Sequence, residues 1–300
     1  MSLSEQVILI TGASTGIGAA LAKTLSQRFM GIRLAIAARS VEKLEDVAEF
    51  CRKEGAEVLV LSTDLEKIEQ VEALVAKVIE HFGQIDVLIN NAGYGQMGPV
   101  ELIPINAVQR QFQVNLIAPL ALIRAVIPQM RSQGGGKIIN ISSLGGRLAF
   151  PFGGLYSSSK FALEGLSDAL RMELEPFNIK VSVIEPGPVS TNFFAVAAQS
   201  VAQSIDAPEK SPYRAAFAKL KDLEKQTSHQ AWTSERVAEV IIKALVAQNP
   251  RPRYVAATGG NILLLISKVL PTKILDTFWQ RFYGIDLISQ DWQNSQEGSK

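Results

Sequence analysis

A doubly wound α/β fold built on a parallel sheet is the architecture this sequence predicts, and three observations carry the prediction. Short β-branched runs alternate with longer stretches of helical period, the rhythm of βαβ units. The runs are apolar at consecutive positions, as in Val7-Ile8-Leu9-Ile10 and Val87-Leu88-Ile89, as expected of strands covered by helices on both faces. No Pro/Gly/Ser-rich linker interrupts the rhythm before residue 186, so it belongs to one domain.

Taken in order, the first strand is Val7 to Thr11, followed by a helix near 16 to 29. Arg33 to Ala38 and Glu57 to Thr63 are the next strands, separated by a helix at 41 to 54 for which Ser40 is the cap. A helix at 67 to 82 leads to the strand Asp86 to Asn90, and a long helix at 107 to 131 to the strand Gly136 to Ser142. The helix at 156 to 177 returns the chain to Lys180 to Glu185, and a helix at 234 to 248 with the strand Arg253 to Ala256 closes the sheet. Residues 189 to 233 break the pattern with small residues, Pro208 and Pro212, and are expected to lie as a substrate loop over the carboxyl end of the sheet. The catalytic unit is thus placed at residues 1–256, with an amphipathic extension at 257–300.

Composition narrows the function. Thirty Lys+Arg against 29 Asp+Glu give a net charge of +1 with no basic cluster, so a nucleic acid is not expected as partner. One cysteine, Cys51, excludes an intrachain disulfide, and with only two histidines no metal site is expected. The polar start, Met1 to Gln6, lacks the features of a signal peptide, and the longest apolar stretch, Ile262 to Leu270, is too short to span a bilayer. A reducing, cytoplasmic location is expected.

Chemistry is concentrated at the ends of the predicted strands. Thr11-Gly12-Ala13-Ser14-Thr15-Gly16-Ile17-Gly18 joins the first strand to the first helix, with glycines that permit a tight turn and leave amide groups at a helix start where a pyrophosphate can sit. Tyr156 and Lys160 stand four apart on one helical face, where the ammonium is expected to lower the phenol from its usual pKa of about 10 toward a value useful in acid-base work. Ser143 ends a strand thirteen residues before Tyr156, and Asn115 sits in an otherwise apolar helix, where a buried amide needs a partner. At the end of the second strand no acidic residue lies between 33 and 41, and Arg39, with Ser14, matches a 2′-phosphate better than a free ribose.

The T-G-x-x-x-G-x-G spacing, Asp64 after the third strand, Asn90-Asn91-Ala92-Gly93 after the fourth, Asn115, Ser143, Tyr156-Ser157-Ser158-Ser159-Lys160, and Pro186-Gly187 with Thr191 together resemble the classical short-chain dehydrogenase/reductase family. The resemblance covers roughly residues 5 to 192 and 234 to 256. Phe161-Ala162-Leu163-Glu164-Gly165 and the carboxy-terminal extension resemble the branch of 17β-hydroxysteroid and retinol dehydrogenases. It implies a Rossmann-type fold and an NADP(H)-dependent carbonyl reductase or alcohol dehydrogenase with an Asn115, Ser143, Tyr156, Lys160 tetrad. By the same resemblance the cofactor meets Gly12, Ser14, Thr15, Gly16, Ile17, Gly18 and Arg39, then Asp64 and Leu65 at the adenine. Asn90, Ala92 and Gly93 are implied at its ribose side, and Pro186, Gly187, Val189 and Thr191 at the nicotinamide, with Tyr156 and Lys160 shared between cofactor and chemistry. The family's spacing selects Ser143 over its neighbour Ser142 as the group that steadies the substrate oxygen, and implies that Asn115 binds a water linking Lys160 to solvent.

Tyr94, Met97, Leu144, Phe150, Phe152, Pro188, Phe193 and Phe194 are candidate pocket walls, equally readable as ordinary core. They contain no lysine or arginine, so a hydrophobic carbonyl or alcohol is the expected substrate. His229, with no neighbouring carboxylate, is left out of the site. In the tail, Ile274, Leu275, Phe278, Trp279 and Phe282 recur at helical spacing and mark an amphipathic helix that packs on the core, a subunit partner or a membrane surface. The resemblance also implies a homodimer or homotetramer through helices 107 to 131 and 156 to 177. Two further functional readings stay open, an NADPH-sensing regulatory protein and a reductase of the 3-oxoacyl type.

Overall fold

The computed structural model describes residues 3–205, 210–217, 219, 231–289 and 291. Seven strands form one sheet in the order β3-β2-β1-β4-β5-β6-β7: β1 Val7–Thr11, β2 Arg33–Ala38, β3 Glu57–Ser62, β4 Val87–Asn90, β5 Gly136–Ile141, β6 Ile179–Pro186 and β7 Arg253–Ala256. Every pairing between these strands is parallel. The order reverses between β1 and β4, which leaves a crevice beyond the carboxyl ends of these two strands.

All five residues of β1 are buried because alternate side chains enter two different cores. Ile8 and Ile10 pack with Leu21 and Leu25 of α1 (Gly16–Arg28), Leu44 and Val47 of α2 (Val41–Lys53), and Val237 and Ile241 of the later helix Ser234–Val246. Val7 and Leu9 face Leu74 and Val78 of α3 (Ile68–Phe82) and, beyond them, Leu122 and Leu170. The consecutive apolar residues of the first strand thus serve two helical layers. Ser40 caps α2 by accepting from Lys43 N at 3.4 Å.

The helix expected at 107 to 131 is interrupted. Residues Ile105–Phe112 form α4, Gln113–Ile117 a π-helical turn and Ala118–Ser132 α5. Pro119 has no N–H to offer the carbonyl of Asn115, and the ladder widens there, with Ala118 N donating to Gln113 O five residues back. Ile105–Ser132 is long and apolar enough to cross a membrane, yet Ala118, Leu122, Ile123, Val126 and Met130 are buried against the sheet, as in a core helix. Helix α6 (Gly154–Leu174) follows β5 and ends in a 3-10 turn, Glu175–Phe177.

Among the described residues, helices appear where the sequence reading placed none. Phe193–Ser204 (α7) lies inside the expected substrate loop, and Gly260–Val269 (α9) arises from the apolar stretch near Ile262. Helix α8, Ser234–Val246, is capped by Thr233, and α10, Thr272–Tyr283, is the amphipathic tail helix. The ends of the insertion are joined by a parallel bridge between Val189 and Trp232, with Ser190 N donating to Trp232 O at 2.8 Å and Trp232 N to Pro188 O at 3.0 Å. His229 lies outside the described residues.

Candidate active site

The glycine-rich turn is shaped by what touches it. Gly12 has φ +65°, and a Cβ there would stand 2.8 Å from Ala92 Cα, so the turn and the segment after β4 approach backbone to backbone. Asn91 secures the contact by donating from Nδ2 to Thr11 O at 2.8 Å, while Thr11 Oγ1 accepts from Asn91 N and Ala92 N. Helix α1 begins at Gly16 with no side-chain cap from Thr15, leaving its first amides for another acceptor. Thr191 comes within reach of the same turn, its Cγ2 3.3 Å from where a Gly16 Cβ would be. This cradle fits a dinucleotide pyrophosphate. A Cβ at Gly18 would stand 2.5 Å from Gly12 O and 2.6 Å from Asn91 Nδ2. Gly18→Ala is therefore expected to cost about 1–3 kcal/mol of stability and to weaken nucleotide binding, checked by thermal melting and fluorescence titration.

Tyr156, Ser143, Lys160 and Asn115 come together where β5, α6 and the π-turn converge at the carboxyl edge of the sheet. A Cβ on Gly145 would lie 3.3 Å from the Tyr156 ring and 3.4 Å from Ser143 Oγ, so the two side chains flank one small space. Ser143 Oγ accepts from Gly145 N at 3.0 Å and can donate to Pro186 O at 3.4 Å. Ser142 points the other way and is buried. Lys160 Nζ donates to Ile141 O at 2.8 Å and stands 6.0 Å from the Tyr156 ring centre. Lys160 and Asn115 meet at Gly93, whose Cβ would be 3.4 Å from Nζ and 3.1 Å from Asn115 Oδ1.

Asn115 is also fully engaged by the protein. Its Nδ2 donates to Tyr94 O at 2.9 Å and to Ser159 Oγ at 3.1 Å, and its Oδ1 accepts from Tyr94 N. The amide therefore pins the segment after β4 to the π-turn, the backbone role that its buried setting demands.

Electrostatics depart from the expectation for Tyr156. Its phenol is not lowered; burial pushes it up to about 12, opposed by its hydrogen bond with Ser143. Burial brings Lys160 down to about 8, opposed by the carboxylate of Glu164 one turn further along α6. Desolvation outweighs the mutual charge effect that i, i+4 spacing alone suggests. Behind Lys160 lies an ionic group absent from the sequence reading, built on the buried carboxylates Glu164 and Glu185. Arg253 donates to Glu164 at 3.0 Å and Asp168 at 2.6 Å, and Arg147 to Glu185 at 2.7 Å. No local spacing signals it, because four separate elements supply its members.

The aromatic candidates divide. Phe193 packs edge-on against Tyr156 at 5.3 Å and meets Met97 over Gly95. Phe150 borders Gly145 beside Tyr156, and Leu144 reaches Gly187. Phe152, at φ +64°, stacks on Phe217 and meets Tyr213 and Tyr283. Tyr283 also stacks on Phe150 at 5.8 Å. These three further aromatics come from the insertion and the tail. Tyr94 stands apart from that wall: the charges that act on its buried hydroxyl belong to Arg110, Glu66 and Arg39, toward the β2 end of the crevice. Pro188 is exposed, and the side chain of Phe194 lies outside the described part. Arg39 is exposed at the end of β2, Asp64 and Leu65 follow β3, and Asn90 donates to Asn140 Oδ1 at 2.8 Å.

A family model described as short chain dehydrogenase matches residues 6–202. The chain is 33% identical over 285 residues to the 3-ketodihydrosphingosine reductase of Bacteroides thetaiotaomicron, covering 94% of this chain and all of that one. It is 33% identical over 256 residues to human 17-beta-hydroxysteroid dehydrogenase type 1, covering 84% and 77%. Among solved structures, a short chain dehydrogenase/reductase from Burkholderia phymatum in complex with NAD superposes with a TM-score of 0.77 at 26% identity, over 89% of this chain and 94% of that one. An alcohol dehydrogenase from Thermococcus sibiricus complexed with 5-hydroxy-NADP gives 0.67 at 27% identity, over 83% and 95%.

Proposed function

This chain belongs to the short chain dehydrogenase family of oxidoreductases, and from that membership we propose that it is an NADP(H)-dependent enzyme interconverting a hydrophobic ketone or aldehyde and its alcohol. The observation that carries the reading is the meeting of Tyr156, Ser143, Lys160 and Asn115 beside an aromatic wall, next to a backbone cradle that fits a pyrophosphate.

In this reading Gly12, Ser14, Thr15, Gly16, Ile17 and Gly18 hold the pyrophosphate, and Arg39 pairs with the 2′-phosphate. Asp64 and Leu65 border the adenine, Asn90, Ala92 and Gly93 the ribose, and Pro186, Gly187, Val189 and Thr191 the nicotinamide. The chemistry supplied by the bound nicotinamide is hydride exchange with a carbonyl carbon. Tyr156, held near 12, keeps its proton at neutral pH and can give it to the carbonyl oxygen during reduction. Ser143 donates a hydrogen bond to the same oxygen as charge develops there. Lys160 holds the ribose hydroxyls and returns the proton to Tyr156, and Asn115 keeps the segment behind it in place. Phe150, Phe152, Phe193, Met97 and Leu144 exclude water and favour an apolar substrate. Relatives named for a hydroxysteroid and a ketodihydrosphingosine support that substrate class.

Purified protein offered a panel of hydrophobic ketones with NADPH or NADH is expected to oxidise NADPH preferentially, read as loss of reduced-cofactor absorbance. NADPH binding without turnover on any ketone would favour the regulatory reading instead. Arg39→Asp should swing the NADPH:NADH ratio of kcat/KM by about tenfold or more toward NADH, since a guanidinium–phosphate pair becomes a repulsion. Equal rates with both nucleotides in the unaltered protein would remove the Arg39 argument. Partly exposed Ile117 and Phe161, on the π-turn and α6, support a homo-oligomer through those helices.

A further inference from the structure

Among the described residues, both tail helices leave apolar side chains exposed. On α9, Ile262, Leu265, Ile266 and Val269 follow the i, i+3, i+4, i+7 rule of a single face, and all are exposed, Val269 to 73%. The opposite side of α9 carries buried Leu264, and Gly260 there packs close to Val255 and Ala257 at the end of β7. After Pro271, α10 exposes Ile274 and Phe278, each to 52%. A shallow groove on α10 is lined by Lys273, Ile274, Thr277, Phe278, Arg281 and Phe282, so cations flank the apolar side chains. The end of the same helix reaches the candidate site, where Tyr283 stacks on Phe150.

We propose that α9 and α10 dock this protein on an anionic phospholipid surface, with the apolar face in the interfacial layer and the basic side chains at the headgroups. Length fits: helices of 10 and 12 residues rise only about 15–18 Å at 1.5 Å per residue, too short to span and suited to lie in the plane. Charge fits as well. The chain as a whole is at +1, whereas residues 260 to 283 carry Lys268, Lys273 and Arg281 against Asp276 alone. That local excess attracts anionic headgroups. In a two-fold dimer the same patch would face a copy of itself, setting like charges together. The clustered rings of Phe278, Trp279 and Phe282 suit the boundary between acyl chains and headgroups. Docking in this orientation puts the aromatic mouth against lipid, from which an apolar substrate enters; that consequence, unlike the docking itself, rests on the proposed function.

The test is flotation of the full-length protein with phosphatidylcholine vesicles, with and without phosphatidylserine. The expected result is co-flotation that strengthens with phosphatidylserine and weakens with added salt. Partition should fall about tenfold or more in the double variant Leu265→Asp/Val269→Asp, which loses exposed apolar contacts without touching the fold's core. Lys273→Glu/Arg281→Glu should abolish only the phosphatidylserine-dependent part. No flotation, or equal flotation of the Leu265→Asp/Val269→Asp protein, overturns the proposal. So does an assembly, seen by light scattering without vesicles, that this variant dissociates, since a second copy then covers the face. None of these readouts uses turnover, so inactivity toward ketones with flotation intact would remove the enzymatic reading and leave the docking surface standing.

Discussion

Tyr156→Phe is expected to bind NADPH as the unaltered protein does and to lose about 10²–10⁴-fold in kcat, the range associated with one positioned acid-base group. The substitution deletes one oxygen and preserves the ring, which packs against Phe193 at 5.3 Å and is 8% exposed. The wall of the pocket therefore keeps its shape. Ser143 remains anchored through Gly145 N and the Pro186 carbonyl, so the acceptor side of the site is intact. What disappears is a proton held by burial in a phenol near 12, poised for the substrate oxygen. Fluorescence titration with NADPH and steady-state rates on the best ketone separate the two effects. Unchanged turnover sinks the acid-base assignment.

Lys160→Met should stabilise the fold while removing activity. The ammonium is 4% exposed, and burial brings it from its usual 10.5 down to about 8. Its folded pKa lies below its unfolded one, so between them the unfolded chain binds more protons and stability rises with pH. Below about pH 8 the fold bears the full cost of a buried charge, on the order of 3 kcal/mol at about 1.4 kcal/mol per pKa unit. The gain in the variant is thus greatest below pH 8 and fades as pH climbs toward 10.5. Part of it is offset because Ile141 O loses its donor and Glu164 a nearby cation. Chemical denaturation of both proteins across this pH range gives the sign directly. A variant less stable at pH 7 and unchanged at high pH would show that the Ile141 and Glu164 contacts outweigh desolvation.

The strands were legible in the sequence because a doubly covered strand needs apolar residues at successive positions, and β1 and β4 are apolar at every position except their last, Thr11 and Asn90. The proximity of Tyr156, Lys160 and Ser143 was legible because Tyr156 and Lys160 share one helix and Ser143 follows β5 by two residues, whereas Asn115 entered only through the family resemblance. The break in the long helix could have been read from Pro119, whose missing N–H frees the Asn115 carbonyl. Helix α7 carried no clear period because most of its residues remain partly or fully exposed. Tyr213, Phe217 and Tyr283 were out of reach for another reason: they meet Phe152 only after the insertion and tail have folded back across it. The lowered phenol failed because helical spacing gives the distance between two charges and says nothing about the water removed from around them.

The bridge between Val189 and Trp232 separates two design problems. Trp232 is held on its far side by Thr258, which accepts from the indole at 2.8 Å, and by the Arg236 guanidinium over its ring at 3.8 Å. The bases of the insertion are thereby stapled to the sheet independently of what lies between them. Closing a loop twice as long costs only about 0.6 kcal/mol more. Changing the length of the segment between the staples is therefore cheap in closure entropy, whereas Thr191 and Phe193, which touch the glycine turn and Tyr156, belong to the site itself. Under the proposed function, the stretch between Phe193 and Trp232 is then a replaceable cassette for selectivity, mounted on a scaffold that does not depend on its length.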